Sequence, residues 1–457
     1  MIGESLEAAL ARAGSPVELL RNATARPYTF PVAPEFSNWR SEQRSWRDAC
    51  ALLDQSHHMA DLFVRGPDAL RLFGDLGVNN VSRFRPETAK QFVAVSHDGY
   101  LIGDGILFYL GPDEFDFVGA HPAIVDWVHF NAETGGYDVE IERDENSLDR
   151  EGPPVLYRYE LQGPTAAAIV ERATGSPAPE VGFFHMTRFA VAGHEVRALR
   201  HGMAGRPGFE LFGPWEEGED VRQALLDAGD ELGLVPAGAK AYSTANLESG
   251  WIPSPLPAIF TGEQLRPFRE WRRAARAGSL GGSFLSAEIA DYYVTPYDVG
   301  YGRLVAFDHD FVGREALEQL GAAESRAKVT LVWNPDDVAQ AIGTQFGRER
   351  SAKYIDLPKA RYALFQYDDV RRDDEHVGIS MDCGYLYNEK AMVSLAVVDA
   401  AVAEPGTEVV VIWGEEPNST KPQVEPHELI EIRAAVAPAP LGDFARLSYR
   451  ASASSAG

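Results

Sequence analysis

Between Leu52 and Leu62 the chain reads LLDQSHHMADL, placing Asp54, Gln55, Ser56, His57 and His58 in one row between two apolar runs. Residues of these types serve nucleophilic hydrolysis, metal binding or proton transfer, and spacing discriminates among them. Adjacent side chains diverge by about 100° on a helix and alternate faces on a strand, so Ser56 and His57 do not face each other. No G-x-S-x-G elbow occurs. The two histidines are vicinal and lack the i, i+3 or i, i+4 spacing that turns a pair onto one metal, and no second His/Cys cluster lies nearby. On the residues alone, a histidine satisfied within a turn is the simplest reading.

Asp104 lies in YLIGDGILFYL, a single carboxylate flanked by glycines inside an apolar strand. A carboxylate buried alone costs several kcal/mol, so this one is paired, hydrogen-bonded, lining a cavity, or set in a turn or bulge. Glu248, in NLESGW, raises the same question, and Tyr242 six residues earlier reads as a core tyrosine with a satisfied hydroxyl. The glycine-rich GMAGRPG and SLGGS match neither a P-loop nor a dinucleotide fingerprint, and no phosphate is assigned to them. LRPFREWRRAARAG, residues 265–278, holds five arginines. Such a run is a solvated helix face or a place to meet an anion.

The elements that must position these residues follow from periodicity. Residues 39–53, with Trp39, Trp46, Ala49, Leu52 and Leu53 at helical spacing, predict a helix running into the DQSHHM stretch. DLFVRG then predicts a strand, PDALRLFGDLG a short helix, residues 91–119 a strand-rich region broken by His-Asp-Gly and Gly-Pro-Asp turns, and HPAIVDWVHFNAETGG a helix. After a break near Glu151–Pro154, LYRYELQGPTAAAIVERATG echoes DLFVRGPDALRLFGDLG: strand, Gly-Pro, then a helix. Two such half-repeats imply a pseudo-symmetric pair of α+β units. Residues 217–232 and KAYSTANLESGW are read as helical. From about Ala327, short β-rich runs predict a barrel or sandwich. The expected divisions are 1–150, 151–326 and 327–457.

Bulk properties set limits. A formal net charge of −26 argues against a nucleic-acid or anionic-membrane surface, which needs a broad positive footprint, but leaves room for a small anion met by a local cation. Cys50 and Cys383 alone build no disulfide framework. The start MIGESLEAALARAGSP is amphipathic and acid-containing, unlike a signal peptide, and no apolar run approaches membrane-spanning length. These features predict a cytoplasmic protein, in which the Asn418-Ser419-Thr420 sequon is chance.

Taken in order, the motifs resemble the glycine-cleavage T-protein (aminomethyltransferase) family. They are Asp54-Gln55-Ser56-His57, then Gly66-Pro67-Asp68-Ala69, Gly99 to Asp104, Gly208-Phe209-Glu210, Leu247-Glu248-Ser249-Gly250, Thr295-Pro296 to Gly300, Asp310–Leu317 and Gly406–Val409. Within that family the second histidine of H-H-M, Tyr242 ahead of L-E-x-G, and the Arg-rich insert after Trp251 are similar to tetrahydrofolate-dependent aromatic O-demethylases. The resemblance implies an α+β fold of three domains in a ring around a folate channel, with a C-terminal β-barrel or sandwich. It implies methyl transfer from a vanillate- or syringate-like methoxybenzoate to tetrahydrofolate, with no metal.

By the same resemblance, Tyr242 is the acid for the departing phenolic oxygen and His58 is the other candidate. Gln55 orients ring substituents with His58, and Trp251 packs on substrate or pterin. Asp104, Glu210 and Glu248 are expected at the folate. Where vanillate-type enzymes carry a carboxylate-binding Arg after the V-G of Phe115–Gly119, this chain has Ala120-His121, so His121 is the substitute candidate. The implied partners are a methoxyaromatic and tetrahydrofolate, without nucleic acid or membrane, in a monomer or small homo-oligomer. The rival readings are a T-protein or other folate-dependent demethylase acting on a non-aromatic molecule, a folate-binding scaffold without turnover, and a hydrolase.

Overall fold

The computed structural model describes residues 3–27, 31–119, 121–253, 255–321, 325–347, 350–415, 419 and 421–449. Ala120, and Asn418 and Thr420 of the sequon, lie outside the described residues. The architecture is α+β: a five-stranded sheet, a six-stranded sheet and a closed barrel of six strands. Among the described residues no helix is long and apolar enough to cross a membrane.

The five-stranded sheet runs Thr88–Val95, Leu101–Gly111, Glu114–Gly119, Ala60–Arg65, Glu140–Asp144. The six-stranded sheet runs Met186–Val191, His194–Arg200, Gly208–Pro214, Leu156–Gln162, Cys50–Asp54, Leu234–Ala237. Their first four strands follow the same order, and the half-repeat explains why. Ala60–Arg65 and Leu156–Gln162 each end in Gly-Pro and feed a helix, Ala69–Leu76 and Ala166–Thr174. Gly66 and Gly163 adopt matching conformations, φ 137° and 141°, which side chains rarely take. A Cβ on either would stand 2.4 Å from a backbone carbonyl, of Asp138 or Ala49.

The fifth strand breaks the sequential order. Glu140–Asp144 follows its own unit in the chain, whereas Cys50–Asp54 precedes both units yet pairs antiparallel with Leu156–Gln162 and parallel with Leu234–Ala237. A division at residue 150 therefore separates the two sheets except for this strand, which comes from the first segment and belongs to the second sheet. The segment after Trp251 is likewise not confined to the second unit: Ile259, Phe268, Tyr293 and Phe311 share one core with Phe73 and Phe92 of the first.

Two local expectations are corrected. The helix from Trp39 stops at Asp48, and Cys50–Asp54 is a strand. Cys50, Ala51, Leu52 and Leu53 are all buried because the strand lies inside a sheet covered on both faces, and a fully buried strand carries no periodicity to separate it from a helix. The arginine-rich segment forms a short helix, Arg266–Trp271, and a 3-10 turn, Ala274–Arg276; Arg266 and Arg273 are exposed and the other three arginines turn inward. Arg269 pairs with Glu7 at 2.5 Å, Arg272 with Asp126 at 2.9 Å, and Arg276 with Asp126 at 3.1 Å, so the run supplies internal counter-charges.

The β-rich C-terminal segment closes as Arg326–Trp333, Ala391–Asp399, Glu375–Leu386, Asp368–Arg372, Glu408–Trp413 and Ile430–Ala437. Closure leaves no unpaired edge. The barrel contributes Ile379, Met381 and Leu395 to the core of the first unit. Because the Gly163 turn is both sterically closed and left-handed, Gly163→Ala is expected to destabilise the protein by more than about 1 kcal/mol in denaturant unfolding.

Candidate active site

Strand register gathers the chemistry-bearing residues at one end of the five-stranded sheet. Gly119 pairs with Ala60 on one side and with Gly105 on the other. The turn bearing His58 thus ends beside the start of that edge, Asp104 precedes Gly105 there, and His121 follows Gly119. The glycine before Asp104 answers a packing need: a Cβ on Gly103 would meet Ile124 Cβ of the helix Pro122–Thr134 at 2.9 Å.

Asp104 is buried and its Oδ2 accepts three hydrogen bonds, from Gln91 Nε2, Trp251 Nε1 at 3.0 Å and the Tyr301 hydroxyl at 2.7 Å. Burial pushes its pKa up to about 6, against the opposing pull of Tyr301, Trp251 and Gln91. The donors come from a neighbouring strand and from two distant segments, so this carboxylate is where they converge.

Tyr242 and His58 form the second pair. Tyr242 closes the short helix Ala239–Tyr242, and its Oη lies 2.8 Å from His58 Nε2, with the rings edge-on at 5.0 Å. Burial lowers the His58 pKa to about 4, so the imidazole is neutral near pH 7. Three residues upstream, Gln55 Nε2 donates to Glu160 Oε2 at 3.3 Å. A carboxylate accepts only, which fixes the orientation of the amide and leaves Gln55 Oε1 buried without a partner among the described residues.

Glu248 lies on the helix Ala245–Ser249, which Gly250 terminates in a left-handed conformation before Trp251. Its Oε1 accepts from Asn388 Nδ2 at 2.9 Å and from Trp46 Nε1 at 3.4 Å. It is buried, makes no ion pair among the described residues, and burial raises its pKa. His121 caps the helix Pro122–Thr134: its Nδ1 accepts from Ala123 N at 3.1 Å, so the ring proton sits on Nε2. Burial and the charge of Arg272 lower its pKa to about 3, which leaves it a neutral donor and not a cation.

Glu210 stands opposite Glu160, the acceptor of the Gln55 amide. Its carboxylate accepts from Arg158 Nη1 at 3.1 Å within a buried cluster in which Arg158 also bonds Asp61 at 2.5 Å and Asp116. Glu160, His201 and Glu210 could together offer metal ligands. Their carboxylates are already engaged, however: Glu210 by Arg158, and Glu160 by Gln55, Gln162 and the Met203 amide.

The register at Gly119, the Tyr242–His58 couple and the three-donor carboxylate are set among motifs that recur elsewhere. A family model described as the GCVT N-terminal domain matches residues 15–254. The chain belongs to the GCVT family. A relative described as syringate O-demethylase, from Sphingobium sp., is 46% identical over 455 residues, covering 98% of each chain. A sesamin methylene transferase from Sinomonas sp. is 30% identical over 374 residues, covering 77% of this chain and 78% of that protein. The crystal structure of the glycine cleavage system aminomethyltransferase T from Bartonella henselae superposes with a TM-score of 0.62 at 18% identity, over 92% of this chain and 95% of that one, and shows a shared fold. The resemblance drawn from the ordered motifs is borne out.

This GCVT-family site contains residues that sequence reasoning missed. Tyr301 directly follows the T-P-x-x-x-G motif, and that adjacency was its signal. Gln91 stands across the strand pair from Asp104, while Trp46 and Asn388 carry no motif and reach Glu248 only through folding. Arg158→Met, which strands Asp116 and its neighbours without a counter-charge, is expected to cost about 3–5 kcal/mol at pH 7. The loss should shrink as pH falls, because burial already raises Asp116 and Glu210 and their protonation neutralises the stranded charge. Denaturant unfolding across pH checks both.

Proposed function

We propose that this protein is an enzyme that demethylates a methoxylated aromatic acid, transferring the methyl group to N5 of tetrahydrofolate. The observation that carries the reading is the Tyr242–His58 couple, placed near the sheet edge that bears Asp104 and His121. The relative named for syringate O-demethylation, similar over 98% of the chain, supports it.

The residues fit a reduced pterin. Glu248 is a buried carboxylate with donors on one oxygen and no ion pair among the described residues, and such a group is stabilised by the paired N–H groups on a pterin edge. The orphaned Gln55 Oε1 suits a phenolic hydroxyl. When bound, the folate supplies the nucleophile at N5.

The step breaks the methyl C–O bond and forms a C–N bond, and the electron pair stays on the phenolic oxygen. Tyr242 donates a proton to that oxygen, and the proton lost from N5 balances the reaction, giving a phenol and 5-methyltetrahydrofolate. Neutral His58 holds the Tyr242 hydroxyl in place and, with a pKa near 4, does not compete as the acid. Asp104, ionised above about pH 6, stabilises the positive charge that develops on the nucleophile. Glu210 acts at one remove, through the Arg158 cluster. Cys50 and Cys383, both buried and unpaired, accord with placing this chemistry in the cytoplasm.

Purified protein with tetrahydrofolate and syringate is expected to yield 5-methyltetrahydrofolate and a demethylated catechol. No folate-dependent loss of methoxyl across a panel of methoxybenzoates and guaiacols would sink the reading. Tyr242→Phe should lower kcat by about 10²–10⁴-fold, and full activity in that variant would pass the acid role to His58. Because Asp104 loses its proton as pH rises through about 6, kcat/KM should climb through that pH in the wild type. Asp104→Asn should abolish this limb as well as lower the rate. A limb near 4 instead would point to His58.

A further inference from the structure

His121 leaves a chemical gap, because a neutral imidazole cannot supply the charge that an aromatic carboxylate needs on leaving water. The segment Leu357–Gln366 passes this point. Lys359 Nζ donates to Asn246 Oδ1 at 2.9 Å and Asp382 Oδ2 at 2.6 Å, next to the helix carrying Glu248. Six residues on, the Phe365 ring lies 5.2 Å from that of His121. Arg361 stands between these two anchors, so its position lies where both units meet the barrel.

Arg361 is part-buried, and its guanidinium bonds only two backbone carbonyls among the described residues, those of Ala363 (3.3 Å from Nε) and Leu364 (2.5 Å from Nη2). It makes no ion pair there. Asp382, whose charge reaches it, is already bonded by Lys359 and, at 2.5 Å, by Asn246. The three fully buried arginines among the described residues of this acidic chain, Arg158, Arg269 and Arg272, each hold a carboxylate. Burial lowers the Arg361 pKa, as expected of a cation short of counter-charge, and its field reaches His121.

We propose that Arg361 is the cation that receives the carboxylate of the aromatic acid, with His121 Nε2–H as a neutral second donor. The inference rests on the reading of the site as an aromatic O-demethylase and names its specificity determinant. The charge comes from the segment that approaches the barrel. A guanidinium fork at this position matches a carboxylate, while a phenol lacking one gains nothing from it.

The test compares wild type, Arg361→Gln and Arg361→Lys on syringate and on 2,6-dimethoxyphenol, which lacks the carboxylate. Arg361→Gln should raise KM for syringate about 10- to 100-fold with kcat within about threefold, and leave KM for the phenol unchanged. Arg361→Lys, which keeps the charge without the fork, should fall between and serves if the Gln variant does not fold. An unchanged ratio of the two KM values would overturn the assignment. Calorimetric binding of syringate separates the failures. Wild type that binds syringate Arg361-dependently without turnover refutes the demethylase reading alone, whereas equal binding by the wild type and both variants refutes the role of Arg361.

Discussion

Arg158 is the charge about which the two sheets are assembled. Its side chain is 2% exposed, projects from the six-stranded sheet, and bonds Asp61 and Asp116 of the five-stranded sheet as well as Glu210 of its own. Phe108 of one sheet and Phe212 of the other place their rings 5.0 and 4.9 Å from the guanidinium. A buried guanidinium without these partners would carry an unmet desolvation cost, so the sheets have one favourable way to meet. The same residue fastens the DQSHHM turn. Ser56 Oγ accepts from Arg158 N at 2.9 Å and Gln55 N donates to Arg158 O at 2.8 Å, and His58 stands two residues after Ser56.

Beside this cluster the site is built from groups that bond neutral donors. Asp104 has three neutral donors, Glu248 two, and His58 and His121 are held neutral. Buried carboxylates in this state lower stability, which is the usual signature of residues kept for chemistry or binding. Glu210 differs from them in bonding a guanidinium, which it shares with Asp61 and Asp116.

Much of this was legible in the sequence. The half-repeat of strand, Gly-Pro and helix predicted two related units, and Gly66 and Gly163 take nearly the same φ. The alternating apolar runs after Ala327 predicted the barrel strands. Tyr242, His58, Asp104 and Trp251 were singled out by type and order, and folding joins them in pairs. The strand Cys50–Asp54 was not legible, because burial on both faces erases its periodicity. Neither was the role of the arginine run, since nothing local distinguishes a solvated arginine from one paired to Asp126 more than a hundred residues away.

The sequence by itself determined the family, the repeated units, a β-rich C-terminal segment and the set of polar residues out of place in apolar surroundings. It did so because motif order, turn glycines and hydrophobic period are local properties of the chain. Only the tertiary structure decided which carboxylates are matched by cations, which histidines are neutral, and that a strand from one unit completes the sheet of the other. Those outcomes depend on desolvation and on partners brought together by sheet register, and neither is encoded within a short window of residues.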